Sequence, residues 1–255
     1  MRTVRFQIKD RVSYGLVEPR AGVDTVSELK GAHPEQFALT GRVYPLSEVK
    51  LLAPVVPSKV VCIGLNYRDH AREMALAIPS EPVIFLKPPS CIVGPGETVV
   101  MPPQSNDVQY EAELAIVISR ETRKVLPEDA DKYIWGFTCF NDVTARDLQA
   151  KDSQWTRAKS FDTFGPVGPW IVDGLDPTDL EISCYRNDQR VQHSRTSEFI
   201  FSVNEMVAYV SEIMTLQPGD IISTGTPSGV GPVAAGDTVT VEIQGIGRLE
   251  NPFRR

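Results

Sequence analysis

Short apolar runs with a period of two dominate the chain. In "VQYEAELAIVIS", Val108 to Ser119, the residues from Ala112 onward read as a strand. Ala112, Leu114, Ile116 and Ile118 alternate there with Glu113, Ala115, Val117 and Ser119. Side chains two apart on a strand share a face. Glu111 and Glu113 therefore point the same way, and their face continues as apolar Ala115 and Val117. Two carboxylates on a strand apolar on both faces need compensation, because buried like charges repel and each resists losing its water.

The same pattern predicts strands in "KVVCIGLNY" (Lys59 to Tyr67), "EPVIFLKP" (Glu81 to Pro88), "YIWGFTCFND" (Tyr133 to Asp142) and "PWIVDG" (Pro169 to Gly174). It predicts three more in "LEISCYRND" (Leu180 to Asp188), "DIISTGT" (Asp220 to Thr226) and "DTVTVEIQG" (Asp237 to Gly245). Twenty prolines and eighteen glycines supply turns. Helical spacing is confined to Asp69–Ala77, Pro127–Asp131, Thr144–Lys151 and Ser202–Met214. In the last, Val203, Met206, Val207, Val210 and Met214 form one apolar face. Strands do not alternate regularly with helices, which argues against a doubly wound sheet and for a mixed, β-rich α+β fold, mostly antiparallel, with a few short helices. Residues 1–54 read as a small separate N-terminal domain. It has a hairpin in "TVRFQIKDRVSYGLVE", a loop-rich finish through "SELK" and "PLSEVKLLAPVVP", and a connector at Pro54 and Pro57. Residues 55–255 form the main body.

The 255-residue length suits one large domain with a small appendage. With 42% hydrophobic and 23% charged residues, the chain is an ordinary globular one. A net charge of −7 argues against nucleic acid as a partner. No apolar run approaches the roughly 20 residues of a membrane helix, so no membrane association is expected. "MRTVRFQIKDR" lacks the apolar core and cleavage site of a signal peptide. Cys62, Cys91, Cys139 and Cys184 form no C-x-x-C pair and read as buried free thiols of a cytoplasmic protein.

Three carboxylates stand out. Glu111 and Glu113 share a face, and Asp142 ends an apolar strand. Oxygen ligands alone suit Mg²⁺, Mn²⁺ or Ca²⁺, and such an ion would remove the electrostatic objection to the glutamate pair. The alternative puts one glutamate in solvent on an edge strand and makes Asp142 a helix cap at "DVTARD"; spacing alone does not displace it. In "NYRDHAREM", His70 and Glu73 are neighbours at i and i+3 on a helix. A carboxylate beside an imidazole orients it as a general base, although a weak exposed pair is the plainer reading. His33 and His193 lie in polar, surface-like contexts, which leaves His70 as the best base. Lys159, in "WTRAKSFDTFGP", could bind an anionic oxygen or reach out to solvent, and Lys87 in "FLKPP" is equally ambiguous. "STGTPSGVG" (Ser223 to Gly231), with Gly225 and Thr226, offers backbone N–H groups and hydroxyls to an anion. It lacks the endings of a P-loop or a dinucleotide fold, so a carboxylate or enolate fits it better than phosphate; a tight turn between strands is the competing reading.

In this order, "GLNYRDHAREM", "EPVIFLKPPS", "YEAELAIVI", "FNDVTARDLQ", "RAKSFDTFGPVGPW", "STGTPSGVG" and "GRLENPF" resemble the fumarylacetoacetate hydrolase family over roughly Pro57 to Phe253. The N-terminal residues look like the small variable domain of many bacterial members. The resemblance implies a mixed β-roll, usually homodimeric, with Mg²⁺ or Mn²⁺ held by Glu111, Glu113 and Asp142. It implies a water-activating His70–Glu73 pair on a lid and an oxyanion-binding Lys159. Arg146, Gln149, Thr226 and the Gly225 turn would lie near substrate. The substrates it implies are small 2-oxo or 2,4-dioxo acids. The first expectation is therefore a hydrolase cleaving a C–C bond of an acylpyruvate. The alternatives are an isomerase or decarboxylase of a 2-hydroxyhepta-2,4-diene-1,7-dioate or oxaloacetate type of acid from aromatic breakdown, and a non-catalytic metal- or carboxylate-binding protein.

Overall fold

A computed structural model describes every residue of the chain except Leu76. The strands of the described residues form three sheets. The largest has twelve strands. Its spatial order is Ala38–Pro45, Val23–Lys30, Arg11–Arg20, Arg2–Ile8, Gly165–Val172, Ile134–Asn141, Ala112–Ile118, Ile221–Ser223, Val60–Gly64, Val83–Lys87. Lys50–Leu52 and Ile92–Val93 pair beside this path. A five-stranded sheet runs Gln189–Arg195, Glu181–Arg186, Thr238–Ile243, Gly247–Arg254, Val99–Val100. A small third sheet joins Thr144–Ala145, Val108–Tyr110 and Gly231–Pro232. Most pairings are antiparallel, and the few helices are short. The fold is thus the β-rich α+β arrangement that the periodicity predicts.

Strand Ala112–Ile118 lies inside the large sheet, and all seven of its residues are buried. It is antiparallel to Ile134–Asn141 on one side and Ile221–Ser223 on the other, with Ala115 opposite both Thr138 and Ser223. Leu114, Ile116 and Ile118 pack into the main core with Met206, Val207 and Val210 of helix Val203–Ile213 and with Ile182 and Val241 of the five-stranded sheet. Ala115 and Val117 face a second core of Val60, Cys62, Phe140, Val167 and Ile221. Burial on both faces explains why the strand is nearly continuously apolar. Helix Val203–Ile213 starts with a capping box, Glu205 N–H donating to Ser202 Oγ and Ser202 N–H to Glu205 Oε2.

The N-terminal hairpin turns at Lys9–Asp10, with Ile8 opposite Arg11. The expected loop-rich finish is instead sheet: "SELK" ends strand Val23–Lys30, and Ala38–Pro45 pairs beside it. The pattern there is masked by Glu28, buried on that strand and bonded by Ser13, Thr40 and Arg42. Ala21 and Gly22, both at positive φ, form the two-residue turn that leads in. These strands bury their own core of Val4, Phe6, Val17 and Val26. They also extend the main sheet, since Thr3 pairs with Ile171.

Other boundaries differ locally. The helix expected over Asp69–Ala77 is Arg68–Glu73, and Leu76 in that span lies outside the described residues. Thr144–Lys151 begins as a two-residue strand, and the helix is Arg146–Lys151. Strands Gln189–Arg195 and Gly247–Arg254 were not expected, because polar residues interrupt their apolar pattern. All four cysteines are free and buried. Among the described residues no helix is long and apolar enough to cross a membrane.

Two parallel strands, Val60–Gly64 and Ile221–Ser223, carry site loops at their C-terminal ends. Their starts are joined by the buried Asp220. Its Oδ1 accepts from Ser58 N (2.8 Å), Ser58 Oγ (2.7 Å) and Lys59 N (3.2 Å), and its Oδ2 from Lys59 Nζ (2.6 Å) and Gln217 N (2.8 Å). Asp220→Ala should lower the unfolding free energy by about 3 kcal/mol in urea titration. A loss below about 1 kcal/mol would show that these bonds do not hold the strand pair.

Candidate active site

The two glutamates arise from a chain that changes sheets between them. Val108–Tyr110 belongs to the small sheet and Ala112–Ile118 to the large one, with Glu111 at the junction. Asp142 follows Ile134–Asn141, and its N–H donates to Glu111 O at 2.9 Å. The ligand atoms of Glu111, Glu113 and Asp142 all lie within 4.8 Å of one another, and all three residues are buried. Neither solvated alternative survives. The glutamates are on no edge strand, and Asp142 caps no helix, since Arg146–Lys151 starts after Ala145.

Cations compensate most of this charge. Lys159 is 2% exposed and reaches Glu111 Oε2 at 2.8 Å and Asp142 Oδ2 at 2.6 Å. Lys87 is fully buried and holds Asp142 Oδ1 at 2.5 Å and Val143 O at 3.0 Å. Arg146 donates to Glu111, to Gln149 and, at 2.9 Å, to Gln109 Oε1. Burial works against the Glu111 carboxylate, but Lys159 and Arg146 outweigh it and hold its pKa well below the usual range. Burial likewise works against the Lys159 charge, and Asp142 and Glu111 outweigh it, so the ammonium is firmly charged. Glu113 is the exception: burial, then Asp142 and Glu111, push its carboxyl well above the usual range.

The bonding explains that exception. Ser223 Oγ and Gly225 N (3.0 Å) both donate to Glu113 Oε2, and no donor among the described residues meets Oε1. Glu113 borders the same cavity of about 300 Å³ as Glu111 and Asp142. Three converging carboxylates, one with an unpaired oxygen, fit a hard divalent cation. Glu111, Glu113 and Asp142 would hold it.

The cavity also brings together His70, Arg146, Gln149, Lys159, Gly225 and Thr226, all singled out from sequence. Glu73 stands outside the lining, behind His70. Its Oε2 is 3.1 Å from His70 Nδ1, and Gly229 N–H donates to its Oε1 at 3.1 Å and Oε2 at 3.3 Å. The "STGTPSGVG" loop thus gives N–H groups to two of the protein's own carboxylates, Glu113 and Glu73. Both glycines are required by shape. Gly225 has φ +89° and a Cβ there would lie 2.9 Å from Asn66 Cβ; Gly229 has φ +93° and a Cβ there would lie 2.3 Å from Val191 O. Tyr110 Oη donates to Gly229 O at 3.2 Å, tying the loop to the glutamate segment. The Thr226 hydroxyl donates to Ala112 O (2.9 Å) and accepts from the buried Gln192 Nε2 (2.9 Å), so its proton is committed.

Sequence reasoning left Lys87 undecided and missed Gln192, Tyr110, Phe85 and Trp155. For Lys87 the signal was a lysine at the end of an apolar strand. The others could be found only from contacts between distant segments.

The C-terminal domain model of fumarylacetoacetate (FAA) hydrolase matches residues 59–254, and an Rv2993c-like N-terminal model matches 1–54. The chain belongs to the fumarylacetoacetate hydrolase family. Protein Rv2993c of Mycobacterium tuberculosis is 47% identical over 100% of this chain and 98% of its own. The mitochondrial oxaloacetate tautomerase FAHD2B of Bos taurus is 46% identical over 82% of this chain and 71% of its own. Among solved structures, a 5-carboxymethyl-2-hydroxymuconate delta-isomerase from Mycobacterium smegmatis superposes with TM-score 0.94 at 44% identity, covering 100% of both chains. A maleylpyruvate hydrolase from Sphingobium sp. SYK-6, in complex with manganese(II) and pyruvate, gives TM-score 0.79 at 30% identity over 100% of this chain and 99% of that one. Family relatives thus include both isomerases and hydrolases.

Calorimetry of Mg²⁺ binding tests the centre. Glu113→Ala should weaken binding at least about 100-fold. Wild-type affinity in that variant would remove Glu113 from the ligand set.

Proposed function

We propose that this protein is a divalent-metal-dependent hydrolase that cleaves a C–C bond of an acylpyruvate or related 2,4-dioxo acid. The observation that carries this reading is His70, paired with Glu73 behind it, on the same cavity as the carboxylate triad. Bound at the triad, Mg²⁺ or Mn²⁺ (Ca²⁺ fits the same donors) would supply Lewis acidity to neighbouring oxygens of the 2-oxo acid head.

The residues then divide the work. Glu73 accepts the Nδ1 proton of His70, which leaves the Nε2 lone pair free to take a proton from water. The water oxygen attacks the distal carbonyl, the C–C bond breaks, and its electron pair stays on the pyruvyl fragment as an enolate. Lys159 places a fixed positive charge beside that developing oxyanion. The proton held by His70 returns to the enolate carbon. Arg146 and Gln149 line the cavity beside Glu111 and would meet oxygens of the acid head.

A second reading keeps the site and omits the water: isomerisation, tautomerisation or decarboxylation, with His70 moving a proton between substrate atoms. The oxaloacetate tautomerase and hydroxymuconate isomerase among the relatives favour it. A turnover screen with Mg²⁺ over acetylpyruvate, fumarylpyruvate, oxaloacetate and hydroxymuconate-type diacids separates the two. Cleavage of an acylpyruvate should fall at least about 100-fold in His70→Ala, with Mg²⁺ affinity unchanged. Cleavage at the wild-type rate in that variant would overturn His70 as the base.

A further inference from the structure

The cavity lining mixes two chemistries. The three carboxylates, Lys159, Arg146, Gln149 and His70 are polar, and Ile63, Leu65, Met74, Phe85 and Trp155 are apolar. Trp155 precedes the short helix Thr156–Lys159, and Lys159 N–H donates to Trp155 O at 3.0 Å. Positions i and i+4 of one turn put the two side chains on the same side of it.

Phe85 joins the two. Its ring centroid is 5.2 Å from that of Trp155 at 75°, an edge-to-face contact, and Lys159 Nζ stands 4.9 Å from the Phe85 centroid. Gly64 lets the indole settle against the strand end. A Cβ there would lie 3.1 Å from Trp155 Cζ3 and 3.4 Å from Cη2. Arg157 and Asp152 are paired at 2.8 and 2.6 Å, closing the chain around Trp155. The result is a braced indole one helical turn from the group that would meet the substrate oxyanion.

We infer that Trp155 is a specificity residue whose indole supports the planar conjugated carbon chain that extends beyond the 2-oxo acid head of the substrate. This rests on the proposed 2-oxo acid chemistry and adds to it a substrate class: acids whose unsaturated or enolised chain is long enough to reach the wall. The indole carries no charge and packs on apolar Phe85, so this part of the wall recognises the chain by area and flatness. At about 300 Å³ the cavity suits a small acid and excludes a bulky tail.

Two ligands of one head separate the cases. Oxalate presents only the head, and fumarylpyruvate presents the head with a conjugated chain. In the Mg²⁺-loaded protein, Trp155→Ala should raise the KM or Kd for fumarylpyruvate about tenfold, with oxalate affinity by calorimetry within twofold of wild type. Trp155→Phe should recover most of the loss. Of the three tryptophans, Trp135 packs on Tyr14 and Phe37, and Trp170 donates to Ile246 O. Neither lines this cavity, so fumarylpyruvate should quench fluorescence in wild type and not in Trp155→Phe. Equal loss for both ligands, or no loss for fumarylpyruvate, would overturn the inference. Failure of wild type to bind oxalate at all would instead strike the 2-oxo acid reading beneath it.

Discussion

Burying three carboxylates with oxygens within 4.8 Å of one another is the constraint on which the rest of this structure depends. In an apolar interior such a cluster is strongly unfavourable without cations. Lys87, Lys159 and Arg146 converge from three different segments to meet Glu111 and Asp142. The cations equal the carboxylates in number, yet among the described residues Glu113 receives only a hydroxyl and one N–H and no cation. That unpartnered carboxyl oxygen is what fits the cluster to a divalent cation.

The architecture follows from holding these groups rigidly. Ala112–Ile118 must be an interior strand to carry Glu113 without slippage, and packing on both faces fixes its register. The loops after Val60–Gly64 and Ile221–Ser223 then meet over it. Asn66 links them, donating to Thr224 O at 2.9 Å and accepting from Phe201 N–H at 2.8 Å. Tyr110, Gly229 and Glu73 form a second link, from the glutamate segment to the His70 helix. The triad and the imidazole are thereby joined through hydrogen bonds between the loops that carry them.

Much of this was legible in the chain itself. Apolar residues on both faces marked Ala112–Ile118 as buried, and Glu111 and Glu113 read as functional only once the ordered family motifs stood beside them. The His70–Glu73 spacing placed both groups on one helical face. The N-terminal strands were less legible because Glu28 puts a charge where the pattern demands an apolar residue. Gln189–Arg195 was hidden because a strand with one solvated face resembles a polar loop. The purpose of the glycine loop was misdirected in part. Its N–H groups do meet anions, but the anions are Glu113 and Glu73 of the same chain. Contacts between residues more than 100 positions apart, such as Tyr110 with Gly229, leave no local trace in sequence.

Manganese offers the most direct look at the centre, because its anomalous scattering locates it without reference to turnover. In a crystal grown with Mn²⁺ and oxalate, one strong anomalous peak should lie among Glu111, Glu113 and Asp142, with oxalate oxygens beside it. A cavity in which Lys159 still bridges Glu111 and Asp142 and no peak appears between the three carboxylates would contradict the metal centre and the chemistry built on it.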